Sequence, residues 1–319
     1  MTATELRTFR LPERVTGADE DQHLGRELVR AWQADGVLQL ATDQNQDRVI
    51  ADAYAASRRF FSLPLHYKAK YVSDLTYTGY AASGEEVAGG EADYSEIFTI
   101  CKDVPEHDAR VQGRWPCHGP APWPDGDYMR AMRAFMAQLG EIGEALLELT
   151  ALGLGLARKD AFTRMTGDGW HHLRVLRSPA CPDLETRSVD TQTGYGLLVI
   201  TAQDEAGVLS VFPGDILQFL TGGTLSATPY EDTHYETTQY EARPAERERH
   251  AMAYFHEPNF ESCVRPLADP GGDEYVHYGT HFTTMFMRRY PEHMATQRIL
   301  AEDRLSVLAQ LRGHVSARA

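Results

Sequence analysis

Residues 196–219 read GLLVITAQDEAGVLSVFPGDILQF. Leu197 to Ile200 is an unbroken apolar run, the pattern of a strand covered on both faces. Val208-Leu209-Ser210-Val211-Phe212 reads as a second strand. Pro213-Gly214-Asp215 is a turn signal, and Ile216-Leu217-Gln218-Phe219 predicts a third strand beyond it. Working outward, His172 to Arg177 alternates like a half-buried strand, and His250 to Phe255 adds another. Short strands separated by Gly, Pro and Asp predict a β sandwich or barrel.

The flanks read differently. In residues 21–35, Leu24, Leu28, Val29, Ala31 and Trp32 share one helical face, and Gly36 ends the helix before a short strand at 37–40. A second helix is expected over about 45–62, closed by Leu63-Pro64. Residues 74–90 read as loop with a little strand. Residues 113–126 hold four of the sixteen prolines and are expected to be irregular. The longest helical pattern runs over about 128–154, with Met132, Phe135, Met136, Leu139, Ile142, Leu146, Leu147 and Leu149 as its apolar set. A last helix is expected over about 297–312. Nothing reads as a linker, so one domain over 1–319 is expected. It comprises a helical and loop layer (1–125), a support helix (126–160), a β core (168–260) and a C-terminal segment (261–319).

Composition narrows the partners. There are 46 acidic residues against 31 Lys and Arg, a net charge of −15. Phosphate binding needs a basic face, so neither nucleic acid nor an anionic membrane surface is expected. No apolar run approaches the roughly 18 residues of a spanning helix. The opening MTATELRTFRLPERVTG lacks the apolar core of a signal peptide, so a cytoplasmic location is expected. Cys101, Cys117, Cys181 and Cys263 form no C-x-x-C pair and read as structural thiols.

The motifs are more specific. The order G-L-L-V-I, then V-F-P-G-D-I-L-Q-F, A-T-P and R-x-x-M-A-Y-F resembles the Fe(II)/2-oxoglutarate oxygenases of the isopenicillin N synthase type. F-F-S-L-P-L-H-Y-K (60–68) is similar to that family's N-terminal segment. Six runs resemble the bacterial ethylene-forming enzymes in particular: SDLTYTGYAASGEEV (73–87), WPCHGP (115–120), DGWHHLRVLR (168–177), FPGDILQF (212–219), YFHEPNF (254–260) and HFTTMFMRRYP (281–291). The resemblance implies an α+β fold, a double-stranded β-helix or jelly roll flanked by helices. It implies Fe(II) held by two His and one Asp, 2-oxoglutarate beside it, and O₂ activation. Ethylene-forming enzymes convert 2-oxoglutarate to ethylene and CO₂ and use L-arginine as co-substrate.

By the same resemblance, Arg249 grips the distal carboxylate of the oxoacid, with Arg174 and Phe255 nearby. Guanidinium suits that task because it offers two parallel hydrogen bonds. Glu86, Tyr195 and Arg288 match positions that hold the arginine. The metal positions depart from the pattern. Where the family has H-T-D-Y-G-L-L-V-I, this chain has Gln192-Thr193-Gly194-Tyr195, and where it has S-T-P-H, this chain has Ala227-Thr228-Pro229-Tyr230. A neutral amide, a missing side chain and a protonated phenol are poor partners for Fe(II). A segment bearing two barrel strands is missing between Gly207 and Val208, so the core is expected to be short of strands. An insertion, EDTHYETTQYEARPAE (231–246), follows Tyr230. Within it His234, with Glu236 or with Asp190 upstream, is a candidate rescue ligand. Two readings stay open: an ethylene-forming type oxygenase, and a metal-free relative that binds 2-oxoglutarate or arginine without activating oxygen.

Overall fold

A computed structural model describes residues 6–88, 91–93, 95–178, 192–193, 195–202, 207–227, 229–230 and 248–316. The strands in chain order are β1 (Thr8–Phe9), β2 (Leu38–Ala41), β3 (Gly79–Ala81), β4 (Glu86–Ala88), β5 (Glu91–Asp93), β6 (Glu96–Ile100) and β7 (His172–Ser178). They continue with β8 (Gln192–Thr193), β9 (Leu198–Ala202), β10 (Val208–Pro213), β11 (Pro229–Tyr230), β12 (Arg249–His256), β13 (Cys263–Val264) and β14 (Val276–His277). The helices are α1 (Asp19–Asp35), α2 (Gln44–Phe61), α3 (Leu65–Lys68), α4 (Ala109–Gln112), α5 (Gly126–Gly153), α6 (Asp215–Leu220), α7 (Tyr278–Arg289), α8 (Met294–Ala301) and α9 (Leu305–Ser316).

Eight strands form one sheet in the order β1-β2-β10-β9-β12-β7-β6-β3. Every neighbour pair is antiparallel except β1 with β2. Of the strands expected from 171 to 255, β7, β9, β10 and β12 are therefore antiparallel neighbours. Among the described residues, the β8–β11 ladder is a separate two-stranded piece.

Helices back one face of this sheet. Met132, Phe135, Leu139, Leu146 and Leu147 of α5 are fully buried in the main core with Met252 and Tyr254 of β12. Each such side chain contributes about 1.5–3 kcal/mol through removal from water. α1 crosses α5 with backbones touching: a methyl group at Gly25 would strike the Leu149 carbonyl and Gly153. Trp32 Nε1 donates to the Val211 carbonyl at 3.0 Å, and the Tyr54 hydroxyl donates to that of Ala202 at 2.6 Å. Both bonds tie a helix to a strand inside the core. Local signals set the helix ends. Gly36 takes a φ of 71° after α1, and Asp43 with Gln46 forms a capping box on α2.

Two sequence expectations change. Ile216 to Phe219 is not a strand but lies in α6. Gly214 packs so tightly on the Gly196 carbonyl that the chain turns there, and Asp215 Oδ1 accepts from the Gly196 amide at 2.9 Å. The spacing of buried Ile216, Leu217 and Leu220 is helical; a four-residue apolar run cannot by itself distinguish the two states. The single C-terminal helix is α8 followed by α9, broken where Asp303 adopts a φ of 48°. Cys101 and Cys117 are buried thiols and Cys263 is half-buried, while Cys181 lies outside the described residues. Among the described residues, no helix is long and apolar enough to cross a membrane.

Candidate functional site

β7 and β12 are neighbours, and their register pairs His172 with Phe255, Arg174 with Ala253, and Ser178 with Arg249. Paired residues on antiparallel strands share a face. His172, Arg174, Phe255 and Arg249 therefore line the face opposite the one that α5 covers. Val37, Val199, Phe212, Ala253 and Phe255 form an apolar cluster here, with Tyr195 packed at its margin. The His172 ring stacks on Phe255 with centroids 4.1 Å apart and planes 6° from parallel. Arg249 stands four residues along β12 from the partner of Arg174, about 13 Å by strand rise. Its side chain is half-buried and makes no ion pair with a described residue.

Glu86 is the hub of the site. It is 1% exposed, as is Arg174, whose Nη2 donates to Glu86 Oε2 at 2.7 Å. The Tyr290 hydroxyl donates to the same oxygen at 3.0 Å, and Arg289 Nε pairs with Glu86 Oε1. Burial and the neighbouring carboxylate raise the Tyr290 phenol well above its ordinary range, so it stays a donor. The Arg289 guanidinium also lies over the Tyr195 ring, 5.7 Å from its centroid. Arg288, one residue earlier, is exposed. Glu86 and Tyr195 are thus brought together, and Arg174 joins them, whereas Arg289 rather than Arg288 reaches the carboxylate.

A second buried set did not stand out in the sequence. His172 Nδ1 lies 2.8 Å from Glu257 Oε2, and the Tyr278 hydroxyl donates to Glu257 Oε1. All three are essentially inaccessible to water. Burial pushes the Glu257 carboxyl well up and the His172 imidazole well down, the latter helped by the charges of Arg174 and Arg289. Both directions keep the pair neutral overall. The signal was present: the H-H-L-R alternation puts His172 on the Arg174 face. His171 faces the other way and stacks on His256 at 4.3 Å, and His256 Nε2 meets Glu144 Oε1 at 2.9 Å.

At the positions that the sequence resemblance assigns to the metal, the backbones of Gln192 and Tyr230 are cross-strand partners on β8 and β11. Gly194, His234, Glu236 and Asp190 lie outside the described residues. An amide, a glycine and a phenol offer neither imidazole nor carboxylate, so these three positions do not fit Fe(II). Among the described residues, no group of three or more His, Cys, Asp or Glu is arranged to hold a metal.

Comparison with known proteins agrees with this architecture. The family described as the N-terminal region of non-haem dioxygenases in morphine synthesis matches residues 8–126. A putative 2OG-Fe(II) oxygenase family protein of Caulobacter crescentus superposes with a TM-score of 0.69 at 18% identity, covering 89% of this chain and 99% of that one. A full-length Neurospora crassa protein, solved in complex with alpha-KG, gives a TM-score of 0.69 at 18% identity, covering 89% of this chain and 96% of that one. The fold is thus the helix-flanked jelly roll of the 2OG-Fe(II) oxygenases. The 2-oxoglutarate-dependent ethylene/succinate-forming enzyme of Ralstonia nicotianae is 46% identical over 353 aligned positions, 97% of this chain and 99% of its own. The chain belongs to the family of 2-oxoglutarate-dependent ethylene/succinate-forming enzymes. An alignment of 353 positions against 319 residues requires gaps on this chain's side.

Proposed function

We propose that the chain binds 2-oxoglutarate on the sheet face that bears Arg249, Arg174 and Phe255. One observation carries the reading: Arg249 is a guanidinium on that face with no ion-pair partner among the described residues. A dicarboxylate fits it, because one carboxylate accepts two parallel hydrogen bonds from a guanidinium. The stacked rings of Phe255 and His172 give the carbon chain an apolar floor. The 46% identical relative, named for forming ethylene and succinate, supports conversion of 2-oxoglutarate to ethylene and CO₂ as the reaction. L-Arginine is the co-substrate of this reading, with Glu86, Tyr195 and Arg288 as its seat.

The donor set favours a second reading. With Gln192, Gly194 and Tyr230 at the ligand positions, the chain holds the oxoacid without activating oxygen. Isothermal titration with 2-oxoglutarate tests the shared step. Saturable binding is expected, weakened about a hundredfold or more in Arg249→Ala, the equivalent of two charge-assisted hydrogen bonds. Binding unchanged in that variant sinks the pocket. Ethylene or succinate formed by the iron-reconstituted protein rules out the metal-free reading.

A further inference from the structure

A carboxylate at the edge of a guanidinium and an aromatic ring on its face together make a receptor for that cation. Glu86 and Tyr195 form such a pair, and the cation between them is the chain's own Arg289. Glu86 has two oxygens. Oε1 is taken by Arg289 Nε, and Oε2 by Arg174 Nη2 and the Tyr290 hydroxyl. At 1% exposure it has no solvent-facing side left for another donor. Arg289 is 7% exposed and is the last residue of α7, and its neighbour Arg288 is exposed, so the solvent edge of the helix lies beside it.

We infer that Arg289 fills, from within the chain, a guanidinium seat made by Glu86 and Tyr195, so that arginine-type ligands enter only when that side chain is withdrawn. This rests on the reading of Glu86 and Tyr195 as a ligand seat. An incoming guanidinium finds both carboxylate oxygens already contacted from within the chain, Oε1 by the Arg289 ion pair and Oε2 by hydrogen bonds, and would have to displace a cation of the same shape. Arg289 is then the residue that decides whether the chain accepts an arginine-type molecule at all.

The test is chemical complementation. Thermal unfolding is measured for the wild type, Arg289→Ala, and Arg289→Ala combined with Glu86→Gln. Each is run with millimolar methylguanidine, with L-arginine, and with L-lysine as a control cation. The wild-type Tm is expected not to move. Arg289→Ala is expected to melt several degrees lower and to recover saturably with methylguanidine and L-arginine but not with L-lysine. Adding Glu86→Gln is expected to abolish the recovery. A wild-type shift as large as that of the variant overturns the inference, and so does a variant that methylguanidine leaves unmoved. If Arg289→Ala is isolated unfolded, its refolding yield with methylguanidine becomes the readout, and no gain overturns it equally. Titrating 2-oxoglutarate into the same samples separates the two ideas. Loss of oxoacid binding with intact complementation removes the pocket proposed above, whereas intact oxoacid binding without complementation removes only the role of Arg289.

Discussion

His118 sits between the Trp170 ring at 4.3 Å and the edge-on Phe260 ring at 4.7 Å, with no exposure to water. Burial pushes its imidazole down to about 4. The unfolded chain takes up a proton here below about pH 6.5 while the folded chain does not. Stability is therefore present above pH 6.5 and is lost as pH falls from there toward 4, by up to about 3 kcal/mol. His118→Gln is expected to flatten that part of a urea-midpoint profile against pH; an unchanged profile contradicts it. Gly143 is a steric counterpart. A Cβ there would lie 2.5 Å from His256 Nδ1, whereas one at Gly126 meets only the flexible end of Arg130 at 3.4 Å. Gly143→Ala is expected to cost about 1–3 kcal/mol in urea unfolding and Gly126→Ala much less. At this scale the sequence disclosed residue types better than partners. Arg174 was legible as a cation near the site, but 46 acids offered themselves, and Glu86, which it meets, lies 88 positions earlier in the chain. That pairing depends on β4, β7 and α7 converging, which no local pattern encodes.

At the scale of elements, α6 is where propensity and context part. Its four apolar residues fit a strand as well as a helix until the Gly214–Gly196 contact and the Asp215–Gly196 hydrogen bond turn the chain. Asp215 also lies 2.8 Å from His281 Nε2 of α7, so one carboxylate joins the strand end, α6 and α7. Asp215→Ala is expected to destabilise by about 1–3 kcal/mol, because it leaves the buried-side Gly196 amide without its acceptor. Asp215→Asn, which keeps the oxygen, is expected to cost less; equal losses would count against the bond to Gly196. The strands of the main sheet were readable because buried runs and alternation survive in short segments, and α5 because its apolar set is long. Sheet order was not readable, since β12 lies between β7 and β9 despite following both in sequence.

At the scale of the whole molecule, the scaffold of the family surrounds the positions that the sequence resemblance assigns to the metal, where this chain has Gln192, Gly194 and Tyr230. Two of these positions, Gln192 and Tyr230, still pair across β8 and β11. Restoring Gln192→His, Gly194→Asp and Tyr230→His together is therefore expected to give stoichiometric Fe(II) in anaerobically loaded protein, with the wild type retaining little. Metal analysis checks both halves. A folded triple variant that stays iron-free would locate the defect outside these three side chains, as the segment expected from the resemblance to be missing at Gly207 would.

The sheet order also bears on synthesis at the ribosome. Once residue 213 has emerged, the chain holds all strands of two sub-sheets, β1-β2-β10-β9 and β7-β6-β3, whose edges at β9 and β7 have no further partner yet among the described strands. Among the described strands, only β12, beginning at Arg249, pairs with both and closes them into one surface. A nascent chain whose sub-sheets have formed is therefore expected to expose the β9 and β7 edges until β12 emerges, a state prone to edge-to-edge aggregation. Chains truncated before Arg249 are expected to accumulate as insoluble material, while chains truncated after His256 gain the last strand that joins the halves.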